Sequence, residues 1–509
     1  MNYQLPITDY QLPITNHQQS KKLMSEQEKT TPLPTKGFFK RIWLVVVGVI
    51  LVAVVLLWPS ISNSPVDYAD IEEHFKYGSI GSEPANGVPY RIWKVLPSVF
   101  SDKLPGQGYQ SLGFIYEPDK EMPIGFSKRR VFINRVGLNC AVCHVGLVRD
   151  TPESEPRVMT TMPANTVNLQ GYIKFLGETA LDARFTPNRL LAEIETQDGK
   201  LNPLQKLLYR FLVIPQTRDA LITQASRLSF LNEQPAWGPG RVDTFNPYKS
   251  LQFRFPMDQL EADEKIGAVD FPSIWNQQPR EGLQLHWDGD NTSVHERNLS
   301  AALGAGVTPT TVDLERVKRI EDWLWELPSP PYPYEIEQSK AAVGKRIYEN
   351  NCASCHAFGG EKVGKVTPIQ EIGTDPHRLD SYTYDLLGNQ NTLFAGYPWR
   401  FKHFRKTNGY ANMPLDGIWL RSPYLHNGSV PTLRDLLDVP TERPQAFYRG
   451  YDVFDRNKVG FVSDVAEEGN KQYFKYDTTI PGNSNNGHLY GTELAPDEKD
   501  ALVEYLKTL

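Results

Sequence analysis

Cys140-Ala141-Val142-Cys143-His144 and Cys352-Ala353-Ser354-Cys355-His356 use all four cysteines of this 509-residue chain. That spacing is the attachment pattern of a c-type haem. Two thiols on one turn of backbone form thioethers with the two vinyl groups of one porphyrin, and the adjacent histidine ligates the iron from its proximal side. Two such motifs with no cysteine left over predict two covalently bound haems. Other readings fit less well. A zinc site built from two Cys-x-x-Cys pairs keeps them within about 15–20 residues of each other, whereas roughly 200 separate these. A thioredoxin-like pair needs no histidine and is not expected twice. A disulfide across two intervening residues makes a poor staple, even in an oxidising compartment.

Covalent haem attachment takes place outside the bacterial cytoplasm, so the chain is expected to cross a membrane. Ile42 to Trp58 is an uninterrupted apolar run. With Phe38 and Phe39 it approaches the roughly 20 residues that span a bilayer. Lys36, Lys40 and Arg41 precede it, and Asp67, Asp70, Glu72 and Glu73 follow; the positive flank stays inside. A cleaved signal peptide has an apolar core of only about 7–15 residues and small residues at the cut. Residues 37–59 therefore read as a retained transmembrane anchor, with the haem domains on the periplasmic side of a bacterial inner membrane. Residues 1–36 carry a short direct repeat, Tyr3 to Thr8 and Tyr10 to Thr15, and read as a disordered cytoplasmic tail. Two such copies cannot build a repeat fold, and Met24 offers an alternative start. A formal charge of −6 argues against nucleic acid as a partner.

The expected fold is mainly α: two cytochrome-c-like haem domains with long irregular loops, preceded by a single transmembrane helix. The N-terminal haem domain is placed at 65–330 and the C-terminal one at 335–509. In the latter, Ser339 to Asn350 reads as a helix, with Gly344 permitting a close helix–helix contact. Pro496-Asp497-Glu498 opens a final helix bearing Leu502, Tyr505 and Leu506. This order of helix, haem motif, long loops and terminal helix resembles a class I cytochrome c. In the N-terminal domain, Leu204 to Val213 and Thr311 to Glu326 read as helices. Pro328 to Pro333 reads as an extended interdomain linker.

Each haem iron has a second axial position, and what the protein places there sets its chemistry. His144 and His356 take the proximal sites. His74, His286, His295, His377, His403, His426 and His488 are the candidates for distal roles. His488 lies in Asn486-Gly487-His488-Leu489-Tyr490-Gly491, where flanking glycines let a loop carry an imidazole over a ring face. It is the first choice as sixth ligand of the second haem, ahead of Met413 and His426.

Leu285-His286-Trp287-Asp288-Gly289 resembles the Phe-Trp-Asp-Gly segment of bacterial di-haem cytochrome c peroxidases. Pro423-Tyr424-Leu425-His426-Asn427-Gly428 resembles their Pro-Tyr-x-His-Asp-Gly segment, and the motif order agrees. The stretch Gly417 to Phe461, with Gly-His-x-Tyr-Gly before the last helix, is nearer still to the di-haem rubber-oxygenase branch of that superfamily. The resemblance covers most of the chain beyond the apolar run. It implies that Trp287 lies between the haems and assists electron transfer, and that His426 sits near the haem edges without ligating iron. It also implies a second haem with two histidine ligands, the distal one being His488. The first haem then has an open or weakly held distal side where peroxide or dioxygen binds.

Two departures bear on that reading. His286 stands where the peroxidases commonly have Phe; three roles are open to it, as ligand to the first iron, as acid–base group on bound peroxide, or facing elsewhere. The distal Glu of the peroxidases falls at Gly304-Ala305-Gly306-Val307 here, with no carboxylate, and Glu296 is the nearest acid. The long stretch between His144 and Trp287, including Trp237 to Asp243 and Phe253-Arg254-Phe255, reads as an insertion that either shapes a substrate pocket or is structural padding. The chain is thus expected to be a peroxidase- or oxygenase-like oxidoreductase with His286 and Trp287 at the reactive haem. It would exchange electrons with a small redox protein or a quinone-linked partner and act on a small-molecule oxidant. The alternative is a non-catalytic electron carrier with both haems six-coordinate.

Overall fold

A β-hairpin presents the first cysteine motif. In the computed structural model, which describes residues 63–509 together with Trp43, Val47 and Gly48, strands Phe126–Val131 and Ile133–Leu138 pair antiparallel. Phe132 alone makes the turn, in the left-handed region at φ 65°. Short strands Ser64–Pro65 and Val88–Pro89 complete a four-stranded sheet. Asn139 follows the hairpin and is fully buried. Its Nδ2 donates to the Lys76 and Gly78 carbonyls at 3.2 and 3.0 Å, and its Oδ1 accepts from the Ala141 N–H at 3.0 Å. One satisfied buried amide thereby sets where the helical turn Ala141–His144 begins. Gly125 closes on it from the other side, since a Cβ there would stand 2.5 Å from Val142 Cα.

Helices Tyr90–Val99, Leu169–Leu181 and Pro187–Gln197 cover this hairpin with an aromatic core. Trp93 stacks on Tyr109 at 4.6 Å and donates its indole N–H to the Tyr172 hydroxyl at 3.1 Å. The chain from Pro203 to Arg227 is helical throughout but widens into a π-turn at Tyr209–Val213. Pro215 accounts for the widening: it has no N–H to return to the Phe211 carbonyl, and a wider turn absorbs the missing bond.

The second motif is carried by two crossed helices, Gln338–Asn351 and Pro496–Leu506. Gly344 is the contact point. A Cβ on it would stand 1.8 Å from the Ala501 carbonyl oxygen, so only glycine lets the backbones meet. Leu502, buried Tyr348, Trp419 and Leu420 fill the cluster beneath. The expected linker region lies within the compact unit formed by residues 60–509. There the Pro330 carbonyl accepts from the Trp419 indole at 2.9 Å, and Tyr332 meets Trp419 edge-on.

Two expectations are corrected. The fold is not mainly α: helices are interleaved with the four-stranded sheet and six two-stranded ribbons among the described residues. Many of these strands are two to four residues long, too short to carry a period-two pattern, and the central hairpin hides its pattern under Lys128, Arg129 and Arg130. The single transmembrane helix is also unsupported. Among the described residues no helix is long and apolar enough to cross a membrane. Single-pass anchoring in an inner membrane is therefore withdrawn. The apolar run at 37–59 lies, apart from Trp43, Val47 and Gly48, outside the described residues, as do the tail at 1–36 and Met24.

Candidate haem-binding sites

Both motif histidines are aimed the same way. His144 Nδ1–H donates to the Pro272 carbonyl at 2.9 Å, and His356 Nδ1–H to the Met413 carbonyl at 2.7 Å. A backbone acceptor on Nδ1 fixes the ring and its tautomer and leaves Nε2 with a lone pair for a metal. Burial pushes the His144 pKa down to about 4 and lowers that of His356 as well, so both rings are held neutral, the form that ligates. The four cysteines are not joined in disulfides. Burial pushes the Cys140 and Cys352 thiols up to about 11.

His488 stands across from His356, their ring centroids 6.2 Å apart. With metal–imidazole bonds of about 2 Å and ring centres about 1.1 Å behind their nitrogens, two imidazoles sharing one iron place their centroids about 6.3 Å apart. The spacing fits one iron between them. His488 Nδ1 is buried without a protein partner, and burial pushes the ring pKa down to about 3. The loop is held rigidly. Arg443 donates to the carbonyls of Asn485, Gly487 and His488, and the His488 N–H donates to Ile372 O at 2.8 Å. Gly487, at φ 76°, would drive a Cβ to within 2.3 Å of the Gly373 carbonyl carbon. Met413, by contrast, lies behind His356, where its carbonyl orients the proximal ring.

The first motif opens on a cavity of about 930 Å³ lined by Cys140, Cys143, His144, Leu285, His286 and Trp287. Among the described residues no second histidine ring faces His144 at the spacing seen for His356 and His488. Arg297 also lines this cavity. It is half-buried, its hydrogen-bond acceptor is the neutral Asn298 side chain at 3.1 Å, and desolvation pushes its pKa down to about 10. A partly desolvated cation with no carboxylate in hydrogen-bond reach suits a haem propionate. The donor set, the paired thiols and this unneutralised guanidinium together fit a covalent haem at the first motif, as the facing imidazoles do at the second.

His286 lies in the cavity wall with positive φ, 61°. Its Nδ1 is 2.6 Å from Asp290 Oδ1, and Phe404 stacks on its ring. Burial, reinforced by Asp288, raises the Asp290 pKa, while His286 opposes the rise. Trp287 is shared between the two sites. Its indole N–H donates to Asp270 O at 2.9 Å, two residues from the carbonyl that holds His144. Its own carbonyl accepts from the Ala411 N–H at 2.8 Å, two residues from the carbonyl that holds His356.

The remaining candidates are placed elsewhere. His426 is buried and stacked on Tyr410 at 3.9 Å. His295 pairs with Glu321, His377 with Asp375 and His403 with Glu296. His74 is buried in the core of helix Ile71–Tyr77. Glu296 also accepts the backbone N–H groups of Lys402 and His403, so it pins the loop that carries Phe404. Trp237, Val242 and Asp243 do line the cavity, whereas Phe253 and Phe255 pack with Tyr382 and Leu386 instead. Sequence reasoning missed Asp290, Phe404, Arg297 and Arg443. Asp290 stood in view four residues after His286; the others had no local signal.

Two family models match the chain: "RoxA-like, cytochrome c-like" over residues 409–448 and "Cytochrome c" over residues 341–415. These make the chain a c-type cytochrome related to RoxA-like proteins, binding haem c and suited to electron transfer. Two curated relatives come from Sinorhizobium fredii (strain NBRC 101917 / NGR234). The chain is 32% identical to "Uncharacterized protein y4iM" over 284 residues, which cover 47% of this chain and 64% of that protein. It is 27% identical to "Uncharacterized protein y4iJ" over 514 residues, covering 78% of this chain and 83% of the relative. Neither name records an activity.

Proposed function

We propose that the chain carries two c-type haems of unequal character and works as an oxidoreductase that reacts with dioxygen or peroxide at the first haem and relays electrons through the second. One observation carries this reading: His356 faces a second imidazole at one-iron spacing, while His144 faces a cavity of about 930 Å³. When bound, the haems would supply redox-active iron. His356 and His488 would hold the relay centre in a fixed setting, which would keep reorganisation small on electron transfer. Trp287 bridges the two sites through the hydrogen bonds on its indole and carbonyl. Arg297 neutralises a propionate at the first haem. The cavity wall at Leu303, Gly304, Ala305 and Val307 is apolar and leaves room for an apolar co-substrate, while Asp290 and Glu321 supply carboxylates elsewhere in the lining. Exposed Phe358, Leu489 and Tyr490 lie close to the second motif and offer an apolar docking rim for a small redox protein.

Absorption and EPR spectra of the purified ferric protein test this. One low-spin and one high-spin or ligand-accessible haem are expected, and His488→Ala should turn the low-spin signal high-spin. Two low-spin haems inert to oxygen, peroxide and carbon monoxide would make the protein an electron carrier instead.

A further inference from the structure

The buried face around His286 is built for more than packing. Asp288 and Asp290 are both about 1% exposed and two residues apart. Asp288 is neutralised by Arg378, whose Nε donates to Oδ1 at 2.8 Å. Asp290 therefore remains for His286, and the 2.6 Å contact ties Nδ1 to it. Phe404 lies beside the ring, centroids 6.2 Å apart and nearly parallel, on a loop that Glu296 holds through the Lys402 and His403 N–H groups. With Nδ1–H committed to a carboxylate, the neutral ring has its lone pair on Nε2. The side chain keeps 22% of its surface open, and the opening is the cavity that also holds Cys140, Cys143 and His144. The left-handed backbone at His286, φ 61°, persists where the surroundings enforce it.

We propose that His286 is a general base at the first haem, with Asp290 as its positioning residue, and that the pair takes the proton from small protic ligands (hydrogen peroxide, hydrogen cyanide) that enter the cavity to bind as anions. The proposal rests on the first haem being the open one. The step balances without a further reactant. The H–X bond of the ligand breaks, its electron pair stays on X, and the proton passes to Nε2. No electron is exchanged. The resulting imidazolium is stabilised by the Asp290 carboxylate on its other nitrogen.

Hydrogen cyanide is the probe, followed by stopped-flow absorption on the ferric holoprotein. His286→Gln and Asp290→Asn should each slow cyanide association at the first haem by about 10²-fold, the scale of general-base assistance. Asp290→Glu should recover part of the loss. Carbon monoxide binding to the ferrous protein involves no proton and should change by less than about twofold in all three variants. That contrast separates proton transfer from damage to the pocket. His286→Phe, which restores the ring type common in the peroxidases, gives a second variant should the polar substitutions fold poorly. The inference is overturned by unchanged cyanide rates, by equal slowing of carbon monoxide, or by faster cyanide binding in the variants, which would mean that His286 occupies the iron. A wild-type first haem that binds neither probe would instead overturn the functional reading beneath it.

Discussion

At the scale of single residues, the chemistry falls on four histidines: His144 and His356 in the cysteine motifs, His488 facing His356, and His286 in the cavity wall. The two Cys-x-x-Cys-His motifs and the glycine-flanked His488 could be found by eye because their chemistry is local. His286 could be named but not assigned, because its role turns on Asp290 and Phe404, the latter more than a hundred residues away. His74 was one of several distal candidates and proves to be a core residue. It is fully buried and neither ring nitrogen has a partner. Burial, and then the charges of Arg319 and Arg316, hold its pKa below the ordinary 6.5. The folded state therefore keeps the neutral ring, while the unfolded chain takes up a proton near pH 6.5. Stability from this site is complete above that pH and is lost as the pH falls from there to the lowered folded value. Melting temperature measured between about pH 8 and pH 5 should fall more steeply for the wild type than for His74→Leu. Parallel curves would show that this ring does not couple to unfolding.

Elements divide by length. The helix read at 339–350 is found at Gln338–Asn351, and the terminal helix opens at Pro496 as its proline and acids imply. Helices of three turns repeat their apolar pattern often enough to be read. Ribbons such as Phe454–Asp455 with Gly460–Phe461 do not, and their pairing depends on where the loops return. Gly344 is the element-scale test. A methyl group there would meet the Ala501 carbonyl at 1.8 Å, between two backbones with no flexible side chain to yield. Gly344→Ala should destabilise the second haem module by about 1–3 kcal/mol despite its better helix propensity. Denaturant unfolding followed in the absorption band of the second haem would reveal the loss; a neutral or stabilising effect would mean that the helices slide apart freely.

For the whole molecule, a haem at the first motif would be part of the core rather than an addition to it. The first motif borders a space of about 930 Å³ that protein atoms leave open. Without its haem, that space would be a void far larger than any created by one side-chain truncation. Cys140→Ala/Cys143→Ala should lower the haem count from two to one in a pyridine haemochrome assay. It should also cost more stability than the roughly 3–5 kcal/mol of a single large-to-small core substitution. Near wild-type stability with one haem lost would show that the pocket collapses around its own walls.

What the sequence alone determined is the chemistry of attachment: thiol pairs and histidines adjacent in the chain bind a porphyrin wherever the fold puts them. It also located the helices that carry the second motif and proposed His488, because glycines on both sides of a lone histidine mark a loop built to approach closely. The tertiary structure decided the rest. Whether two imidazoles can share one iron depends on distances between residues far apart in the chain, here 6.2 Å between the His356 and His488 rings. The mixed architecture, the dyad of His286 with Asp290, and the hydrogen bonds that suspend Trp287 between the two sites all arise from long-range pairing. No local pattern encodes such pairing, since each partner gains its meaning only when the chain folds back on it.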